Sequence, residues 1–348
     1  LTNGTSTAVT VMLQLLLGGP DDGLLIPIPQ YPLYTALIAV NGATAMPYYL
    51  DESKGWTCTM DDLAKCVAGA PKNVKPRAMV VINPGNPTGQ VLPKESMVDT
   101  VKFCYDNNLM LLADEVYQDN VYAPGKKFTS FRQVLLEMDP KYSDPNNGVQ
   151  LVSFHSTSKG RIGECGRRGG YMQLQNFPAD VEAVVLKMCS VALCANVDGQ
   201  IMVDLMINPP SEESKAQHEQ ELEDIKQSLM RRATTITTEL NKMPWISTTS
   251  VEGAMYVFPS LKFPDSYVEY AIKESQNTKH PCTKDTVDAF WCMQLLEATG
   301  IVVVPGSGFG QKPNTQHFRI TILPPEHRML DVCEQLAKFQ ADLAARFK

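Results

Sequence analysis

Ala78-Met79-Val80-Val81-Ile82-Asn83-Pro84-Gly85-Asn86-Pro87-Thr88-Gly89 holds the reading on which the fold turns. Five consecutive apolar residues are too few for a helix and suit a strand covered on both faces. The run of prolines and glycines behind them ends that strand abruptly. The same arrangement recurs twice downstream. Leu109-Met110-Leu111-Leu112-Ala113 breaks into Asp114-Glu115-Val116-Tyr117, and Leu151-Val152-Ser153-Phe154 breaks into His155-Ser156-Thr157-Ser158-Lys159-Gly160. A helix-compatible segment from about Lys94 to Asn107 separates the first two. Strands spaced by helices of that length pair in parallel through right-handed crossovers. In such an open sheet ligands bind outside the carboxyl ends of the strands, so the three polar runs are expected to converge on one site.

Outward from this centre the alternation continues. Upstream, residues 5 to 17 read as a helix stopped by Gly18-Gly19-Pro20, 23 to 27 as a strand, 32 to 40 as a helix stopped by Asn41-Gly42, and 43 to 49 as a strand. Downstream, residues 139 to 148 carry turn chemistry and are expected to form a surface loop, and a polar helical stretch runs from about Pro210 to Lys242. Strand-like runs at 254 to 258, 301 to 304 and 318 to 323 then accompany a helix at about 285 to 298 and a final helix. The expected fold class is α/β: a three-layer αβα domain with a mainly parallel sheet over residues 1–228, and a smaller α+β domain over 229–348.

The composition bounds the function. With 348 residues, 44% apolar and 20% charged, the chain has the profile of a globular protein with a large core. A net charge of −7 without a basic run makes nucleic acid an unexpected partner. No apolar stretch approaches a membrane span. The nine cysteines are scattered without a Cys-x-x-Cys pair and are expected to be free thiols. The chain opens at Leu1-Thr2-Asn3-Gly4 directly into what reads as an active-site loop, as expected of a protein whose N-terminal part is missing.

The ordered motifs Asn83-Pro84-Gly85-Asn86-Pro87-Thr88-Gly89, Ala113-Asp114-Glu115-Val116-Tyr117, Ser156-Thr157-Ser158-Lys159 and Gly166-Arg167-Arg168-Gly169-Gly170-Tyr171 resemble the class I and II aminotransferases of fold type I, which use pyridoxal 5'-phosphate. The longer strings PIPQYPLY (27 to 34), LLADEVYQDNVY (111 to 122), SFHSTSKG (153 to 160) and VVPGSGFGQ (303 to 311) are similar to the alanine aminotransferase branch. The resemblance implies that Lys159 forms the Schiff base with the cofactor and shuttles a proton, and that Asp114 pairs with the ring nitrogen. It implies that Tyr117 and Asn86 bind the phenolic oxygen, Asn86 also reaching the substrate carboxylate. For the phosphate it implies Gly4, Thr5, Ser6, Ser156 and Arg168, with Arg167 a competitor for the arginine. Tyr31 would stack on the ring, with Tyr34 as the alternative, and Arg319 would grip the substrate α-carboxylate.

The reaction so implied is L-alanine plus 2-oxoglutarate to pyruvate plus L-glutamate, in a cytoplasmic or mitochondrial homodimer. Its alternatives are glutamate–glyoxylate or other class I transamination and, more distantly, an effector domain of a transcription regulator.

Overall fold

Six strands build the sheet that carries the three polar runs: β1 (Asp22–Ile28), β2 (Thr44–Tyr49), β3 (Lys75–Ile82), β4 (Met110–Asp114), β5 (Leu151–Ser156) and β6 (Gly170–Gln175). In this computed structural model residues 1–208 and 210–347 are described; Pro209 and Lys348, which the expected domain ranges include, lie outside them. The strand order is β2-β1-β3-β4-β5-β6. All neighbours are parallel up to β5, and β6 returns antiparallel along its edge. The mainly parallel three-layer sheet is therefore present. The sequence reading did not include β6, because a half-exposed edge strand lacks the unbroken apolar run of its neighbours.

Strand parity divides the core into two layers. Leu24, Ile26, Val80, Ile82, Met110, Leu112, Val152 and Phe154 pack against α1 (Thr5–Leu16), α2 (Leu33–Val40) and, after β6, α6 (Ala179–Ser190). The intervening Leu25, Met79, Val81, Leu111, Ala113 and Leu151 pack against α3 (Met60–Ala68), α4 (Lys94–Asp106) and α5 (Phe131–Glu137). Successive side chains point to opposite faces, so a strand with helices on both sides must be apolar at every position. α3 starts on a capping box in which the Thr59 hydroxyl accepts from the Asp62 backbone and Asp62 answers the Thr59 N–H.

After α7 (Val197–Ile207), α8 (Glu212–Leu240) runs for 29 residues, and its buried side chains begin only at Leu229, followed by Ala233, Ile236 and Leu240. That helical spacing seats the last third of α8 in a second core. The C-terminal part contains the pair β7 (Ile246–Ser247) and β9 (Ser260–Leu261), and the three-stranded group formed by β8 (Tyr256–Val257), β11 (Phe318–Thr321) and β10 (Val304–Pro305). Around them pack α9 (Asp265–Ser275), α10 (Val287–Thr299) and α11 (Glu326–Arg346).

Two local expectations need correction. The strand read at 301 to 304 shrinks to β10, since only Val304 and Pro305 find partners on β11. The loop read at 139 to 148 contains a 3-10 turn, Pro140–Ser143, started by the Asp139 carboxylate accepting from the Lys141 N–H at 2.9 Å.

Candidate active site

β3, β4 and β5 are neighbours, so their carboxyl ends meet: Ile82 lies opposite Asp114, and Asp114 opposite Phe154. Parity then aims the side chains. Asp114 follows Met110 and Leu112 toward α1 and α2, where its Oδ2 accepts from the Tyr34 hydroxyl at 2.9 Å. Burial pushes its carboxyl up to about 6, although Tyr34 and the Val116 N–H favour the ionised form. Among the described residues no cation pairs with it. Glu115 turns to the opposite face, accepts from the Phe131 N–H at 2.7 Å and closes the start of α5. Burial lifts it to about 7.

Above this edge lies a cavity of about 220 Å³. Lys159 enters it from the turn after β5. That turn is pinned from below, because Asn120 Oδ1 accepts from the Gly160 N–H at 2.9 Å and Asp119 pairs with Arg161 at 3.1 Å. Ser156, at the end of β5, lines the cavity on the side of Asp114.

At one end of the cavity α1 begins. Its N-cap is Gly4 at φ +83, and a Cβ there would come within 2.5 Å of Arg168 Nη2, so the close approach of backbone to guanidinium needs glycine. Arg168 Nη2 donates to Asn3 O at 3.2 Å and Ser6 Oγ at 3.1 Å. Thr5 also lines the cavity, and among the described residues its buried Oγ1 has no partner. Helix N–H groups, two hydroxyls and an arginine together suit an anion. Arg167 pairs instead with Asp198 on the exposed side at 3.1 Å.

The far wall comes from the C-terminal part. Tyr117 donates its hydroxyl to that of Tyr256 at 3.1 Å, and burial holds its phenol well above the usual range. The Arg319 guanidinium lies 4.1 Å from the Tyr256 ring centre and 4.7 Å from that of Phe309, with Nη1 donating to Asn86 Oδ1 at 3.0 Å. Its buried Nε has no partner, and among the described residues Arg319 forms no ion pair. An unpaired buried donor costs about 1–3 kcal/mol, which an arriving carboxylate would remove. Gly89 at φ +73 lets the Asn86 loop touch this wall: its carbonyl accepts from the N–H groups of Glu252 and Gly253, and a Cβ would collide with Val251.

Ten of the eleven residues singled out from the sequence line this one cavity, and Gly4 supports it from behind. Tyr31 edges the opening, whereas Tyr34 is buried and engaged by Asp114. The sequence reading missed Tyr34 as the partner of Asp114, and Tyr256. The donor set fits pyridoxal 5'-phosphate: an anion cradle, a buried carboxylate that among the described residues has no cation, a lysine lining the same cavity, and a second anion-seeking arginine.

The family model "Aminotransferase class I and II" matches residues 1–336. A mitochondrial alanine aminotransferase 2 of Arabidopsis thaliana is 47% identical over 100% of this chain and 63% of its own length. Alanine aminotransferase 1 of Homo sapiens is 44% identical, over 100% of this chain and 68% of its own. Among solved structures, an alanine aminotransferase from Pyrococcus furiosus superposes with a TM-score of 0.77 at 25% identity, covering 98% of this chain and 75% of that one. The chain thus spans less than two thirds of the length of the Arabidopsis relative. No described helix is long and apolar enough to cross a membrane.

Proposed function

The chain belongs to the aminotransferase class I and II family, and on that premise we propose that the protein transfers the amino group of L-alanine to 2-oxoglutarate, releasing pyruvate and forming L-glutamate. The observation that carries the reading is the single cavity lined by Lys159, Asp114, Arg168 and the unpaired Arg319. The branch is supported by relatives named alanine aminotransferase at 44–47% identity.

Pyridoxal 5'-phosphate, when bound, supplies an electrophilic carbonyl carbon and a ring that accepts electron density. The residues do the rest. Thr5, Ser6, Ser156, Arg168 and the first amides of α1, beginning after Gly4, hold the phosphate. Asp114 would face the ring nitrogen and favour its protonated form, which would match the otherwise unfavourable buried charge. Tyr117 and Asn86 would hold the phenolic oxygen, and Tyr31, at the opening, would cover the ring. Arg319 grips the substrate α-carboxylate through the edge that includes its free Nε, orienting Cα toward Lys159. Lys159 Nζ then takes the Cα proton, holds it and returns it as a general acid.

Residues 1–228 form the large, cofactor-holding domain in this reading and 229–348 the small one, with the change of burial along α8 at Leu229 as support. Arg319 from one and Asn86 from the other make substrate binding a force for closure and exclusion of water. A homodimer is part of the proposal, supported by exposed Leu186, Val191, Leu193 and Ile201 on and between α6 and α7. A cytoplasmic or mitochondrial location is part of the proposal, the mitochondrial one supported by relatives that carry that word in their names. Pyruvate formation from L-alanine and 2-oxoglutarate, compared with glyoxylate as acceptor, is the test. Failure to form pyruvate refutes the donor, and faster turnover with glyoxylate reassigns the acceptor.

A further inference from the structure

Arg319 has a neighbour on its own strand that the reaction does not use. His317, two residues earlier, is in extended backbone bridged to Ser260, so the two side chains leave the strand on the same side. The residue is 3% exposed, its ring stacked on Phe258 at 4.8 Å and 5° and set edge-on to Trp56 at 5.7 Å. Nδ1 lies 3.0 Å from Gln311 Oε1 and Nε2 lies 3.3 Å from Glu52 Oε2.

The neighbours decide where the protons are. Gln311 Nε2 donates to Asp288 Oδ2 at 3.0 Å and to Asp285 O at 3.4 Å, and both can only accept. The Gln311 amide therefore cannot be reversed, and it presents its carbonyl oxygen to His317. Asp288 is itself fixed: it is fully buried and accepts from the N–H groups of Ser307 at 2.7 Å and Ala289 at 2.8 Å. Nδ1 must then be an N–H donor. On the other side Nε2 faces the Glu52 side chain, and a ring that also carries a proton there donates to it. Asp51, Asp62, Lys262 and Lys312 line the same cleft, and Glu52 is the carboxylate in hydrogen-bond reach of the ring.

Glu52 sits in the 3-10 turn Glu52–Lys54 that follows β2, whereas His317, Gln311 and Asp288 belong to the C-terminal part. The chain Asp288–Gln311–His317–Glu52 thus ties the strand of Arg319 to the sheet-bearing part, beside the Arg319–Asn86 contact. We propose that His317 is a positioning residue for Arg319: clamped as the Nδ1-protonated ring by Gln311 and Asp288, it docks on Glu52 and sets the depth at which the guanidinium meets the substrate carboxylate. This rests on the role given to Arg319 above. A misplacement of about 1 Å at such a fork costs up to about 10²-fold, so a remote tether can matter.

The test uses the cofactor-loaded protein and three variants. Glu52→Ala, on a half-buried surface turn, and His317→Ala are expected to raise KM for both amino acid and oxo acid about 5- to 20-fold with kcat changed less than about 2-fold. His317→Gln, whose amide can donate to Glu52, should recover most of that loss. Two NMR readouts need no turnover: the 15N shift of His317 should report a protonated Nδ1, and the Arg319 Nε–H signal should move in Glu52→Ala. A bare Nδ1, an unmoved Arg319 signal, or a loss confined to kcat overturns the proposal. Absence of pyruvate formation by the unaltered protein would instead count against the reaction, leaving both NMR outcomes to judge His317.

Discussion

The floor of the cavity and its far wall are built on different terms. Asp114 and Ser156 leave the ends of adjacent parallel strands, where register and parity aim them, and Lys159 follows in the short pinned turn behind β5. Tyr256 and Arg319 arrive on strands of two and four residues, and each reaches the sheet-bearing part through a side-chain hydrogen bond, Tyr117 to Tyr256 and Arg319 to Asn86. In the proposed reaction the floor, placed by the sheet, does the chemistry, and the wall, placed by contact with the sheet-bearing part, does the recognition.

Substitutions should split along that line. Lys159→Ala is expected to lower turnover by about 10⁴-fold or more, since it deletes the proton carrier, with loss of the lysine-dependent visible absorption of the loaded protein. A Schiff-base band surviving without added amine would remove Lys159 from its role. Asp114→Asn should cost about 10³-fold in kcat with the substrate KM little changed.

The same change has a second signature on stability. Burial raises the Asp114 carboxyl from its ordinary 3.8 to about 6, so its contribution is fully present below about pH 4 and is lost as pH rises through about 6. The loss is on the order of 3 kcal/mol for a shift of that size, and Glu115 adds in the same direction up to about 7. Cofactor-free Asp114→Asn should therefore melt higher than the unaltered protein at pH 8 and gain less from added pyridoxal phosphate. Equal melting temperatures at pH 8 would show that the buried charge is matched within the chain.

Effects on the wall should be smaller and fall on binding. Arg319→Ala is expected to raise KM by about 10²-fold, the value of a charge-assisted fork. Tyr256→Phe, which removes one hydroxyl from the Tyr117 contact, should cost about 3- to 10-fold. A kcat defect in Tyr256→Phe as large as that of Asp114→Asn would erase the distinction between floor and wall.

The same division marks what could be read from residues alone. β3, β4 and β5 announce themselves as apolar runs broken by polar turns, and the polar ends are the floor. Tyr34 was hidden because its partner lies 80 residues away and their meeting depends on α2 packing over the face that Asp114 shares with Leu112. Tyr256 was hidden by the shortness of β8. The choice between Arg167 and Arg168 needed the left-handed turn at Arg168, φ +54, which sends one guanidinium to α1 and leaves the other to Asp198.

Asp114, the last residue of β4, and Glu115, which follows it, are adjacent carboxylates turned to opposite faces, and that juxtaposition limits how the gene can vary. A single-codon deletion within β4 would bring Glu115, longer by one methylene, to the cavity and leave Val116 where α5 needs the acceptor for its first amide. Point substitutions along β4 can be absorbed by repacking. Changes in length cannot, so lineages carrying this site should differ in the residues of the strand but keep its frame.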